Sequence, residues 1–325
     1  MAKITMVEAI NMAHAWEMAH DESVVVLGED VGVNGGVFRA TVGLQQRFGS
    51  DRVQDTPLAE GLIAGTAIGL AAQGIKPVAE IQFMGFIYPA LDQIASHMAR
   101  LRNRTRGRLT CPLVLRMPHG GGIHAPEHHS ESLEALLCHH PGLRVVCPSS
   151  PARAYGLLLA AIRDPDPVIF LEPVRLYRFM RQEVADDGQA LPIDGCFVLR
   201  EGSDLTIVTW GAMTVESLKA AEQLSAEGIS CEVIDVASLA PIDFDTIFES
   251  VVKTGRLLIV HEAARTCAVG AEIAATVSEH ALYDLLAPIR RVTGYDTIMP
   301  LYRLEYDYIP SQARIIDSIR ATLAE

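Results

Sequence analysis

"LAEGLIAGTAIGLAAQG", Leu58 to Gly74, is the stretch on which the reading of this chain turns. It is small and apolar almost throughout, and it carries one acid, Glu60. Gly61, Gly65 and Gly69 recur every four residues, with Ala64 and Ala67 among them. That spacing predicts a helix with one face thin enough for a second helix, across a subunit interface, to approach closely. Thr56-Pro57 predicts the helix start, with Pro at the first position. An acid near a helix start can be a solvated group favoured by the macrodipole. At the edge of a close helix contact the same carboxylate would lose water, which raises its pKa. Proton-sharing sites use carboxyls of that kind.

Outward from this helix the pattern alternates. "SVVVLGED", "DRVQD", "KPVAEIQF", "CPLVLRMP", "LRVVCPS" and "PVIFLEP" read as short buried strands, continuous in Val, Ile and Leu. Between them, "ALDQIASHMARLRNRT", "SLEALLCHH" and "PARAYGLLLAAIRD" read as helices. Thr5 and Glu8 form a capping-box pattern opening a first helix, about 6–20. From about 176 to 203 the rhythm breaks into polar, Gly- and Pro-punctuated sequence, read as a crossover between domains. It resumes with the strands "DLTIVTW", "SCEVIDV", "RLLIVHE" and "IRRVTG". The helices between these are "TVESLKAAEQLSAEG", "FDTIFESVVKTG" and "GAEIAATVSEHALYDL". The expected fold is therefore α/β: two domains, 1–185 and 186–325, each a mostly parallel sheet covered by helices on both faces.

Composition narrows the function. The chain has 325 residues, 49% of them hydrophobic, enough for two ordinary cores. A net charge of −13 argues against a general affinity for nucleic acid or anionic membranes. No apolar run approaches the roughly 18–20 residues of a membrane span. "MAKITMVEAI" lacks the apolar core of a secretory signal, so a bacterial cytoplasmic protein is expected ahead of a processed mitochondrial one. The six cysteines form no CxxC pair and read as reduced core thiols.

Sites in such folds lie beyond the C-terminal ends of the strands. Four loops qualify: "GEDVGVNGG", "DTPLAEG", "IQFMGFIYP" and "HGGGIHAPEHHSES". The first fits neither GxGxxG nor GxxxxGK[ST]. The last loop and the short helix after it crowd His119, His124, His128, His129, His139 and His140 together with Glu127 and Glu131, which raises a zinc hydrolase as a different class of function. His124 and His128 are four apart, but Gly120 to Gly122 and Pro126 argue against the helix that HExxH needs. A loop histidine can instead act as acid, base or polar anchor.

Taken together, these motifs resemble a known family. "DTPLAEGLIAGTAIGLA" is similar to the thiamine-diphosphate signature E-x4-G-Φ-x-x-G-Φ, with Glu60, Gly65, Gly69 and Leu70 in register and Thr66 in a usually apolar place. With "LGEDVGVNGGVFRAT", "EIQFMGFIYPALDQI", "GGGIHAPEHHSES" and "AIRDPDPVIFLEP", the chain resembles the β subunit of the decarboxylase component of 2-oxo-acid dehydrogenase complexes. The resemblance implies a transketolase-like pyrimidine-binding domain followed by a transketolase-like C-terminal domain. It implies oxidative decarboxylation of pyruvate, with the acyl group passed to a lipoyl group. Branched-chain 2-oxo-acid and acetoin dehydrogenases are the neighbouring alternatives, and a non-catalytic scaffold subunit is the alternative of another class.

Glu60 inherits the role of the acid that hydrogen-bonds the cofactor's pyrimidine nitrogen. Leu58 and Tyr88 fall at cofactor-binding positions, Tyr88 as the aromatic packed on the pyrimidine. His129, fixed in register by Ser130, falls at the histidine near the substrate carboxylate and the incoming lipoyl group. Leu113, Ala161, Ile162, Asp164 and Asp166 match a potassium site of mostly backbone carbonyls, with Asp166 where the family has a neutral amide. The GDG motif that holds diphosphate and Mg²⁺ is missing. The resemblance supplies it on a separate α subunit, giving two α and two β chains that serve a dihydrolipoamide acyltransferase core.

Overall fold

The computed structural model describes residues 3–325; Met1 and Ala2, the first residues of the amino-terminal segment discussed above, lie outside the described residues. The chain divides into two compact units. One comprises residues up to His119 together with Leu136–Ile193. The other comprises Gly120–Ala135 together with Asp194–Glu325. The glycine- and histidine-rich loop thus belongs to the second unit, although the strand before it belongs to the first. The segment read as a crossover also stays with the first unit as far as Ile193. Val184 and Ile193 are buried, and Gly188 is tied down by a hydrogen bond from Arg163 to its carbonyl.

Six parallel strands form the sheet of the first unit, in the order Arg144–Val146, Val168–Pro173, Val114–His119, Lys76–Glu80, Val24–Gly28, Val53–Asp55. Their continuous apolar sequence follows from burial on both faces. The helix Met6–His20 opens with the expected box: Glu8 N–H donates to Thr5 Oγ1, and Thr5 N–H to the Glu8 carboxylate. It lies along the helix Pro151–Arg163, and an Arg163–Glu17 ion pair at 2.6 Å joins the two.

Two expected helices differ in detail. The helix carrying Glu60 runs Glu60–Ala72 and starts after Thr56-Pro57 rather than at it. The Thr56 N–H still donates to Gly28 O, so the chain remains extended there and turns only at Ala59. The segment after Tyr88 is helical but not α throughout. It passes through a π turn at Gln93–His97 and a 3₁₀ turn at Met98–Arg100. The Ala99 carbonyl lies hard against Gly142, 2.0 Å from where a Cβ there would stand.

In the second unit four parallel strands, in the order Arg290–Val292, Leu257–Val260, Leu205–Thr209 and Cys231–Asp235, carry an antiparallel edge strand, Phe197–Arg200. Helices Met213–Ser225, Phe244–Thr254 and Val269–His280 fall where expected. Asp243 caps the second of these, and Gly255, left-handed at φ 69°, ends it. A further helix, Gln312–Leu323, is absent from the sequence reading; Ser311 caps it. The architecture is α/β with two mostly parallel sheets. Among the described residues no helix is long and apolar enough to cross a membrane.

Candidate active site

In the first unit the candidate residues follow strand ends, Glu60 after Val53–Asp55 and Tyr88 after Lys76–Glu80. Glu60 is the first residue of its helix, half-buried, among backbone N–H groups that have no intrahelical partner. The segment Tyr88–Ala90 packs on the next turn, so close that a Cβ on Gly61 would stand 3.1 Å from Pro89 O. This places Tyr88, 47% exposed, on the segment seated beside the Glu60 turn. Leu58 is exposed. Leu62, Thr66 and Gly69, at helical spacing, leave one face of the helix open, while Ile63, Ala64, Ala67, Ile68 and Ala71 are buried.

Two acids that the sequence reading left out join Glu60. Glu29 is buried, and one of its carboxylate oxygens has no hydrogen-bond partner. Its pKa is raised, first by burial, then by the charges of Glu60 and Asp30. Glu80 also contributes to that rise and is itself raised by burial, against the opposing pull of Arg116. Arg116 is the hub of a buried network. Its Nε and Nη2 donate to the two oxygens of Glu172 at 2.7 and 2.8 Å, and its Nη1 donates to Glu80. Tyr177 donates its hydroxyl to Glu172, and burial beside that carboxylate holds the phenol well above its usual range. One charge inside each of the apolar strands "VAEIQF", "VLRMP" and "VIFLEP" was the available signal, since charges are rarely buried unpaired.

The glycine loop is shaped by protein carboxylates. Gly32 N–H donates to Asp55 Oδ1 at 2.6 Å and Val33 N–H to Oδ2 at 3.3 Å. Gly36, left-handed at φ 78°, lies against Glu80, whose Oε1 would be 3.3 Å from a Cβ.

His129 lies in the second unit, half-buried at the end of a 3₁₀ turn, Glu127–His129, with His128 exposed beside it. The backbone N–H of His129 donates to Pro126 O at 2.9 Å. The neighbouring Glu131 has a raised pKa, mainly from burial. Among the described residues no three of His, Cys, Asp or Glu gather as a set able to hold a metal ion.

The cation positions lie together in the first unit. Ala161 and Ile162 are in the last turn of the helix Pro151–Arg163, where carbonyls lack intrahelical partners. Ala161 O accepts Asp164 N–H at 3.3 Å and Leu113 O accepts Val168 N–H at 2.9 Å, and each keeps a second lone pair. The carboxylates are already engaged: Asp166 pairs with Arg102 at 2.7 Å and Asp164 with Arg144 at 3.1 Å. The carbonyls thus keep acceptor capacity, while both acids have guanidinium partners of their own.

Comparison with known proteins follows the same division. Residues 2–180 match the transketolase pyrimidine-binding domain, and residues 195–315 match the transketolase C-terminal domain. The chain is 49% identical over 323 residues to the pyruvate dehydrogenase E1 component subunit beta of Bacillus subtilis, covering 99% of each chain. It is 51% identical over 320 residues to the subunit of that name from Acholeplasma laidlawii, covering 98% of each. A solved structure titled as a split-gene transketolase, an inactive β4 tetramer, shares the fold with a TM-score of 0.80 over 99% of both chains at 24% identity. A parallel-sheet fold in two units, an acid opening a helix of small residues, and identity near one half along the whole length lead to one conclusion: the chain belongs to the family of pyruvate dehydrogenase E1 β subunits, built from transketolase-like pyrimidine-binding and C-terminal domains.

Proposed function

We propose that this chain supplies the pyrimidine half of a pyruvate dehydrogenase active site that an α subunit completes. The observation that carries the reading is Glu60: a single half-buried acid at a helix N-terminus, beside the Tyr88 segment and one open helix face. Bound thiamine diphosphate would supply the nucleophilic carbon and the electron sink for decarboxylation. Glu60 would hold and move a proton at the pyrimidine nitrogen. Tyr88 and Leu58 would cover that ring and exclude water. An open helix face of small residues suits a partner helix at close range, as a shared site requires.

The chain contains no GDG sequence, so the diphosphate and Mg²⁺ fall to the α subunit in a tetramer of two α and two β chains. His129 would orient the substrate carboxylate and move a proton when the lipoyl domain of the acyltransferase arrives. The carbonyls of Leu113, Ala161 and Ile162 would hold a K⁺ ion, with Asp164 and Asp166 beside it. A bacterial cytoplasm is the setting this reading expects. Co-expression with the α chain and a panel of 2-oxo acids, read with a dye acceptor, tests the proposal. Turnover of pyruvate in preference to branched-chain acids supports it, and turnover of no 2-oxo acid refutes it.

A further inference from the structure

We propose that Glu262 and Glu305 are positioning residues: their buried carboxylates anchor the backbone of Gly120–His124 and thereby set where His129 can reach. The inference deepens the reading of His129 above and rests on it.

The anchors are hydrogen bonds from loop N–H groups to carboxylates inside the second unit. Gly121 N–H donates to Glu262 Oε1. Gly122 N–H donates to Glu305 Oε1 at 2.6 Å, and His124 N–H donates to Glu305 Oε2 at 3.0 Å. Glu262 is 5% exposed and Glu305 1% exposed. Charge-assisted bonds of this kind are about twice as strong as neutral ones. Buried carboxylates also carry a heavy penalty if their donors leave. The nearest basic side chain in contact with Glu305 is His124, its Nδ1 at 3.8 Å, so backbone N–H groups supply the closer contacts.

The run of glycines follows from this arrangement. Gly120 and Gly122 are left-handed, at φ 81° and 92°. A Cβ on Gly120 would lie 2.9 Å from Glu262 Oε1, and one on Gly121 would lie 2.8 Å from Met299 Cε and 3.2 Å from Glu305 Oε1. Only a chain without side chains admits both carboxylates. The loop is closed by Gly120 N–H donating to Glu131 O at 3.0 Å. Its far end is fixed by Trp210 Nε1–H, which donates to Glu134 at 3.2 Å. His128 and His129 lie on a turn between these fixed ends, so the anchored ends bound the range over which that turn can move.

The test uses the reconstituted enzyme, with both subunits, and free lipoyl domain as acceptor. Glu305→Gln keeps the volume but turns one accepting oxygen into an NH₂ facing an N–H donor. Asp307→Asn, an exposed acid on the same short helix, is the control for charge. Amide exchange at Gly122 and His124 should quicken roughly tenfold in Glu305→Gln, the scale of one buried hydrogen bond unmade. Glu305→Asp, which retains both oxygens, should recover part of the protection, and Asp307→Asn should change nothing. The ratio of lipoyl acylation to dye-linked turnover should fall several-fold in Glu305→Gln, through KM for the lipoyl domain. Glu262→Gln, probed at Gly121, gives the same comparison if Glu305→Gln does not assemble. Unchanged exchange in both variants overturns the inference. So does quickened exchange with a normal ratio, where His129→Ala in parallel shows a lowered one. If His129→Ala also leaves the ratio normal, the reading of His129 has failed, and with it the purpose given to the anchors.

Discussion

Glu60 and His129 carry the chemical claims, and each can be tested alone. Glu60→Gln retains size and removes the acid, and it touches little packing because the side chain is only half-buried at a helix start. Subunit assembly should survive, while exchange of the C2 proton of bound thiamine diphosphate slows by orders of magnitude, on the scale of several kcal/mol of barrier. Proton exchange followed by NMR at the parental rate would show that the role is misplaced. For the histidines, His129→Ala should lower reductive acylation of lipoyl far more than dye-linked turnover, and His128→Ala should change neither. The reverse pattern in parallel kinetics would shift the register by one residue. Glu60 stands out locally, as one acid among small residues, whereas Tyr88 is singled out only by the family resemblance, since an aromatic opening a helical segment reads equally well as core. Glu262, Glu305 and Glu29 could not be read from the sequence, because each acts on backbone or charges far away in the chain, whereas Glu80 left a signal that went unused, a charge inside an apolar strand. Glu305 meets Gly122 and His124 across more than 180 positions.

At the scale of elements, charges buried inside strands and two buried histidines, one in a helix and one just past a strand, bear on stability. Arg116 lies on the strand Val114–His119 between two acids from its neighbours, and all three are buried. Arg116→Met leaves Glu80 and Glu172 without their cation, and loss of one partner from such a group costs about 3–5 kcal/mol. Denaturant unfolding should show that loss. Replacing all three residues with apolar ones of similar size should recover much of it. His14, in the helix Met6–His20, donates from Nδ1 to Ile10 O at 2.7 Å and is fully buried; burial first, then Arg116, lowers its pKa from 6.5 to about 3. His261, stacked on Trp210, is lowered to about 4, mainly by burial. Both bind a proton more readily unfolded than folded. Their contribution is therefore complete above pH 6.5 and is lost as pH falls toward 4 and then 3, at about 1.4 kcal/mol per unit for each. Stability measured against pH should fall over that window, and His14→Gln should flatten the slope. Strands and most helices were legible from apolar runs and caps. The late start of the Glu60 helix was not, because a backbone bond from Thr56 to Gly28 overrides the Thr-Pro start signal. The Gln312–Leu323 helix had its cap, Ser311, and isoleucines at helical spacing in plain view.

At the scale of the whole molecule, the proposed function makes this chain half of a site. The fold class followed from the strand–helix rhythm alone. The return of Gly120–Ala135 to the second unit did not, because the loop's hydrogen-bond partners, Glu262 and Glu305, lie more than 140 positions further along the chain. The proposal of a site completed by an α subunit rests on the missing GDG, the open face of the Glu60 helix and the identity to β subunits. The most direct test is calorimetric titration of thiamine diphosphate with Mg²⁺ into this chain alone and into its complex with the α subunit. The account predicts tight, Mg²⁺-dependent binding by the complex and only weak binding by the chain alone. Tight Mg²⁺-dependent binding by the isolated chain would contradict it.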